Sequence, residues 1–245
     1  MAKVSFDFTG NNYLVTGASS GIGRQLVLDL ASSGANVLAI ARREEELKKV
    51  QSEFPDRISI AVCDVCDKDS VKERIEHYVA EKGAFNGFSH AAGIYEFSPL
   101  KVFDKGQFYK MMEINFWSGF DILQILSKKK FSVEGASFVM FSSVAAIQGE
   151  KGLLAYSASK AAVSSAVRSV AKEISGRNQR LNAVMPGRVE TPMTAPYQND
   201  EVDGRSLLGK AYPEDITKPV LFLFSDGAKW ITGTDFVVDG GYLIN

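Results

Sequence analysis

Short runs of consecutive apolar residues alternate along the chain with longer stretches in which apolar residues recur every three or four positions. The first pattern reads as strands and the second as amphipathic helices. Strands are predicted over 12–16, 36–40, 58–62, 87–91, 137–141, 181–184 and 235–238, and helices over 21–33, 44–53, 68–81, 106–127, 154–175 and 214–224. In the first helix the periodic residues are Ile22, Leu26, Val27 and Leu30, with Gly34 as the expected C-terminal cap. Val37-Leu38-Ala39-Ile40 and Phe138-Val139-Met140-Phe141 are apolar on both faces, as strands become when helices cover both sides of a parallel sheet. The expected fold is a doubly wound (Rossmann-type) α/β domain with a seven-stranded parallel sheet. Ligands of such sheets bind beyond the carboxyl ends of the strands, near the switch in strand order.

A length of 245 residues fits one such domain, and 45% apolar with 23% charged residues is enough to bury a core. The 28 basic and 29 acidic residues nearly cancel, so no field draws the chain to nucleic acid or to an anionic membrane. The first residues, Met1 to Asp7, lack the apolar run of a signal peptide, and no later stretch approaches the roughly 18 apolar residues of a membrane span. A cytoplasmic location is expected. Cys63 and Cys66 form a lone CxxC, for which His77 and His90 are poorly spaced co-ligands, so two reduced thiols at a strand end are expected and no metal. Lys128-Lys129-Lys130 closes a helix, where cations favour the dipole; a docking patch for an acidic partner is the alternative.

Candidate chemistry begins after the first strand, with Thr16-Gly17-Ala18-Ser19-Ser20-Gly21-Ile22-Gly23 opening directly into a helix. Glycines let backbone approach a ligand closely, and free N–H groups at a helix N-terminus favour a diphosphate. Ser19 and Ser20 add hydroxyl donors. The spacing, Gly-x-x-x-Gly-x-Gly, is weak evidence on its own, and its strand-turn-helix setting strengthens it. At the end of the second strand, where a carboxylate would bind a free ribose 2′-hydroxyl, the chain has Ala41-Arg42-Arg43. Two guanidinium groups suit a 2′-phosphate and so favour NADP(H) over NAD(H). Pairing of these arginines with Glu44, Glu45 and Glu46 is the alternative.

Tyr156-Ser157-Ala158-Ser159-Lys160 sets a phenol and an ammonium at i and i+4, on one face of a predicted helix. A tyrosine with a pKa of about 10 needs roughly 4 kcal/mol to become a base near neutrality. An ammonium about 4 Å away supplies roughly 1 kcal/mol in water and roughly 4 at an effective dielectric of about 20. Lys160 therefore suffices only where water is excluded, as under a bound nicotinamide and substrate. Ser143, at the carboxyl end of the fifth strand, is placed to hold a substrate oxygen. Tyr-x-x-x-Lys alone also describes many surface helices.

With these motifs in this order, the chain resembles the short-chain dehydrogenases/reductases over essentially its whole length, from the glycine turn to Val238-Asp239-Gly240-Gly241. The resemblance implies a catalytic tetrad of Asn115, Ser143, Tyr156 and Lys160. Tyr156 would be the acid/base, Ser143 the donor to the substrate oxygen, Lys160 the pKa modulator and ribose ligand, and Asn115 the holder of a relay water. It further implies that Asp64 and Val65 contact adenine, that Ala91, Ala92 and Gly93 border the cofactor, and that Pro186, Gly187, Val189 and Thr191 lie over the nicotinamide. His90-Ala91 departs from the family, in which two asparagines are frequent; His90 reads as a support residue near the cofactor rather than a base.

A polar stretch over 192–212, containing Gly204, resembles the variable substrate lid, and Tyr95, Phe97, Ile147, Gln148, Leu153 and Met185 are candidate pocket residues. The implied activity is interconversion of a ketone or aldehyde with an alcohol. A 3-oxoacyl-(acyl-carrier-protein) reductase is an alternative, and a nonenzymatic NADP-binding scaffold an alternative of another class. The family also implies a homotetramer, or a homodimer, built on the two long helices and the C-terminal strand.

Overall fold

The computed structural model describes residues 4–197 and 205–245. Gly204, and with it the middle of the expected lid over 192–212, lies outside the described residues, as do Met1, Ala2 and Lys3. Seven strands form one parallel sheet: β1 Asn12–Thr16, β2 Asn36–Ala41, β3 Ile58–Val62, β4 Phe85–His90, β5 Ser132–Phe141, β6 Arg180–Pro186 and β7 Asp235–Val238. Their spatial order is β3-β2-β1-β4-β5-β6-β7. The chain works outward from β1 to β3 and then returns to lay β4 against the other side of β1. The crevice of a doubly wound sheet opens at that reversal, beyond Thr16 and His90.

Period-two alternation divides the strands between two cores. Tyr13 and Val15 of β1 pack with α1 (Gly21–Ser32), α2 (Glu44–Glu53) and the last helix, Pro213–Phe224. Leu14, between them, faces α3 (Lys68–Lys82) and the helical layer of the 105–126 and 154–174 segments. With helices on both faces, central-strand residues such as Val37, Ile40, Phe88 and Val139 are fully buried, which accounts for their unbroken apolar runs.

Strands read at 87–91 and 181–184 are shifted or lengthened by one or two residues at their ends, and three differences go further. The strand read at 137–141 begins at Ser132, because Ser132-Val133-Glu134-Gly135-Ala136 is too polar and glycine-bearing to read as strand, yet its edge extends the pairing with β4. The helix read as continuous over 106–127 is α4 (Lys105–Met112), a π-helical turn over Glu113–Trp117, and α5 (Ser118–Leu126). Periodicity cannot register one extra residue in a turn, and such turns recur at functional sites. A short helix, α6 (Ala145–Gln148), lies unforeseen between β5 and α7 (Leu154–Ile174).

Candidate active site

The cleft at the switch point has a volume of about 400 Å3. Its floor is the turn between β1 and α1. Gly17 and Gly21 hold φ of +67° and +54°, where side chains are strained, and a Cβ on Gly17 would sit 2.6 Å from the Ala91 carbonyl oxygen. A Cβ on Gly23 would lie 2.5 Å from the Gly17 oxygen. Both close approaches require glycine and keep the turn tight where β1 leads into α1. Ser20 caps α1 without a side-chain bond to it, and no acidic residue occupies the first turn, so the positive end of the helix faces the cleft uncompensated. Every cofactor residue read from the 17–23, 42–43, 64–65 and 91–93 segments borders this space, together with Thr191 and the unforeseen Cys63, Ile94, Ile114 and Met193.

The glutamates after the two arginines bond instead to Lys48 and Lys49. Arg43 donates to Ser19 Oγ at 2.9 Å and to Ser20 Oγ at 2.7 Å, so its guanidinium hangs over the glycine turn. Arg42 lies 3.7 Å from Asp64. Two cations thus flank the end of the cleft where β2 stops, Arg43 held by the Ser19 and Ser20 hydroxyls and Arg42 largely exposed. The Cys63 and Cys66 thiols are pushed up by burial, Cys66 to about 11, so both stay protonated near neutrality.

The other end of the cleft is a smaller recess of about 110 Å3, where Ser143, Tyr156 and Lys160 meet Pro186, Gly187, Val189 and Thr191. Ser143 lies beside the Tyr156 phenol in this recess, and its Oγ accepts the Ala145 N–H at 3.2 Å. Burial pushes the phenol up to about 12, against a lowering contribution from the neighbouring Ser143 hydroxyl. Lys160, only 5% exposed, donates to the Phe141 carbonyl at 2.9 Å and lies 5.7 Å from the Tyr156 ring centroid. Burial brings its ammonium down to about 8. The lysine alone therefore does not draw the phenol toward neutrality; a protonated phenol is suited to give a proton, not to take one.

Asn115 sits in the π-turn with no exposure at all. Its amide is spent on the protein: Oδ1 accepts from the Ile94 N–H, while Nδ2 donates to the Ile94 carbonyl and to Ser159 Oγ. Ser159, inside the Tyr-x-x-x-Lys segment, passes the contact on to the Tyr156 carbonyl at 2.8 Å. Gly93 closes the corner, since a Cβ there would be 3.3 Å from Asn115 Oδ1 and 3.8 Å from Lys160 Nζ. Ser142 Oγ, donating to the Lys160 carbonyl at 2.8 Å, fixes α7 to the end of β5. Ser142 and Ser159 escaped the sequence reading, though both flank motif residues.

Of the candidate pocket residues, Tyr95 reaches the site: its ring stands edge-on to Tyr156 at 5.1 Å and to Tyr197 at 4.8 Å. Phe97 covers Gly152. Ile147 and Gln148 border a separate open groove above the start of α7, and Leu153 and Met185 are buried. Thr194 and Met193 complete the rim, with Thr194 Oγ1 donating to the Val189 carbonyl at 2.7 Å.

The chain is similar to known proteins over nearly its whole length. The family model described as enoyl-(acyl carrier protein) reductase matches residues 17–243. A 3-oxoacyl-(acyl-carrier-protein) reductase of Thermotoga maritima is 35% identical, over 96% of this chain and 98% of that protein. A chloroplastic tropinone reductase homologue of Arabidopsis thaliana is 32% identical, over 100% of this chain and 79% of its own length. The crystal structure of a short-chain dehydrogenase/reductase from Brucella melitensis superposes with a TM-score of 0.93 at 27% identity, covering 99% of this chain and 100% of that one.

Proposed function

We propose that this chain, which belongs to the short-chain dehydrogenase/reductase family of oxidoreductases acting on CH–OH groups, works with NADP(H) in preference to NAD(H) and interconverts a ketone or aldehyde with an alcohol through Tyr156. One observation carries this reading. Tyr156 and Ser143, with buried Lys160 beside them, stand at one end of a crevice whose other end holds Arg42 and Arg43.

The residues fit a dinucleotide. Gly17 and Gly23 let the turn pack against the Ala91 and Gly17 backbone oxygens, where no Cβ would fit, and the arginines and Ser19 hydroxyl supply donors for a 2′-phosphate. When bound, the nicotinamide supplies or receives the hydride. Ser143 and Tyr156 would hold the carbonyl oxygen by two hydroxyl hydrogen bonds, and Tyr156, protonated at neutral pH, would pass its proton to the oxygen as charge develops there. Lys160 would offset the phenolate left behind, at a site dry enough for one charge to count. Asn115 would keep Ile94 and Ser159 in place around that lysine.

The chain is read as one domain in which the 192–212 stretch covers the substrate, supported at its described start by Met193 and Thr194 on the rim. Homotetramer formation is supported by apolar side chains left exposed near β7 (Trp230, Val237, Ile244) and on α4 and the π-turn (Tyr109, Trp117). Free thiols at Cys63 and Cys66 suit a reducing, cytoplasmic setting. No helix among the described residues is long and apolar enough to cross a membrane. Reduction of 3-oxoacyl thioesters is the second reading, favoured by the Thermotoga relative.

A panel of ketones, aldehydes and 3-ketoacyl thioesters, assayed with NADPH and NADH through the absorbance of the reduced nicotinamide, tests both. Turnover with NADPH on any of them supports the reading; faster turnover with NADH overturns the cofactor preference, and no turnover on the whole panel overturns the function.

A further inference from the structure

We infer that His90 is a positioning residue that holds the dinucleotide cradle and the Asn115 turn in register, each through one nitrogen of its imidazole. His90 ends β4, is 2% exposed and does not border the cleft. Its Nδ1 lies 2.9 Å from Thr16 Oγ1 and its Nε2 3.0 Å from the Ile114 carbonyl. A carbonyl can only accept, so Nε2 carries the proton and Nδ1 receives the Thr16 hydroxyl. Thr16 Oγ1 is then free to accept the Ala92 N–H at 3.3 Å. Ser118 reinforces the far arm by donating to the same Ile114 carbonyl at 2.8 Å. The imidazole's face rests on α5 at Gly119, where a Cβ would be 2.7 Å from Cδ2.

The two arms lead to different halves of the site. Thr16 immediately precedes Gly17, which packs on the Ala91 and Ala92 backbone, so the Thr16–Ala92 contact decides where the cradle seats. Ile114 lies in the π-turn next to Asn115, whose amide fixes Ile94 and Ser159 around Lys160. Burial, with the Lys160 charge adding to it, holds the imidazole pKa at about 4, so the neutral, directional form persists at neutral pH. No other side chain places an acceptor at the δ position and a donor at the ε position at once. Asparagine reproduces a polar atom near Nδ1 only, glutamine near Nε2 only, and leucine neither.

The inference rests on the oxidoreductase reading, and its test separates the two. Wild type, His90→Leu, His90→Asn and His90→Gln are compared for NADPH dissociation constant, kcat at saturating NADPH on the best carbonyl found, and melting temperature. His90→Leu is expected to lose about tenfold in both NADPH affinity and kcat, one hydrogen-bonded arm each. His90→Asn recovers most of the affinity and leaves kcat low; His90→Gln recovers most of kcat and leaves affinity low. Should His90→Leu fail to fold, the Asn and Gln pair still carries the test. The inference is overturned if the variants lower only the melting temperature, or if Asn and Gln lose affinity and kcat alike. A wild type that binds NADPH without turnover would sink the function, and the Asn variant would still have to outbind the Gln variant for the Thr16 arm to stand.

Discussion

Asn115 and Ile94 exchange a pair of hydrogen bonds, the Ile94 N–H giving to Asn115 Oδ1 at 2.8 Å and Asn115 Nδ2 giving back to the Ile94 carbonyl at 3.0 Å. A side chain thereby stands in for a neighbouring strand, holding the loop after β4 beside α7. The π-turn is what aims Asn115 at this loop, and Ser159 ties the pair to the Tyr156 segment.

Asn115→Ala should leave the half-buried Ile94 N–H and carbonyl without their protein partner, at a cost of about 1–3 kcal/mol. Urea unfolding should report that loss. A fall in kcat of at least about tenfold should accompany it, because the Lys160 corner loosens. A variant as active as wild type would place the contact outside the reaction.

Tyr156→Phe removes the phenolic hydroxyl and little else. Turnover should fall by about 100-fold or more, while NADPH binding measured by fluorescence titration stays within a few-fold of wild type. An unchanged rate would overturn the proton-donor role.

Arg42→Ala and Arg43→Ala should raise the KM for NADPH by about tenfold or more, since a charge-assisted hydrogen bond is worth roughly 1.5–3 kcal/mol. The KM for NADH should move far less. Arg43→Ala should have the larger effect, because Arg42 is shared with Asp64 whereas Arg43 lies over the Ser19 and Ser20 hydroxyls. Equal losses for both cofactors would indicate a structural role.

Gly17→Ala would force a methyl group to 2.6 Å from the Ala91 oxygen at a φ of +67°. Cradle and strand end must separate, so NADPH affinity should drop by more than about tenfold and the melting temperature with it. Retained affinity would contradict the reading of this turn as the phosphate seat.

Lys160 should imprint a pH dependence on stability. Burial lowers its pKa to about 8 from about 10.5 in the unfolded chain, so below about 8 the fold bears the full cost of a buried ammonium. As pH rises from 8 toward 10.5 the folded chain loses the proton first and that cost is relieved, by about 3 kcal/mol at most. Wild type should therefore gain stability relative to Lys160→Met across this window in urea unfolding. A flat difference would mean that the lysine is hydrated in solution.

The two arginines show where sequence reasoning had to leave a choice. Arg42-Arg43 could pair with the following glutamates or face a ligand, and only the Arg43–Ser19 and Arg43–Ser20 bonds across more than twenty positions decide for the cleft. Lys160 shows a different limit. Its place on one helix face with Tyr156 was legible, but its hydrogen bond to Phe141 and the net rise of the phenol depend on how deeply α7 sits against β5.

By itself the sequence determined what is local: the rhythm of buried strands and amphipathic helices, the glycines that a tight approach of backbone demands, and the Tyr156–Lys160 spacing that one helical turn enforces. Tertiary structure decided what depends on partners distant along the chain. The π-turn at Asn115, the imidazole of His90 shared between Thr16 and Ile114, and the seat of Arg43 all follow from contacts 21 to 74 positions apart. Hydrophobic period records which face of an element is buried, and carries no record of which polar atom will meet it there.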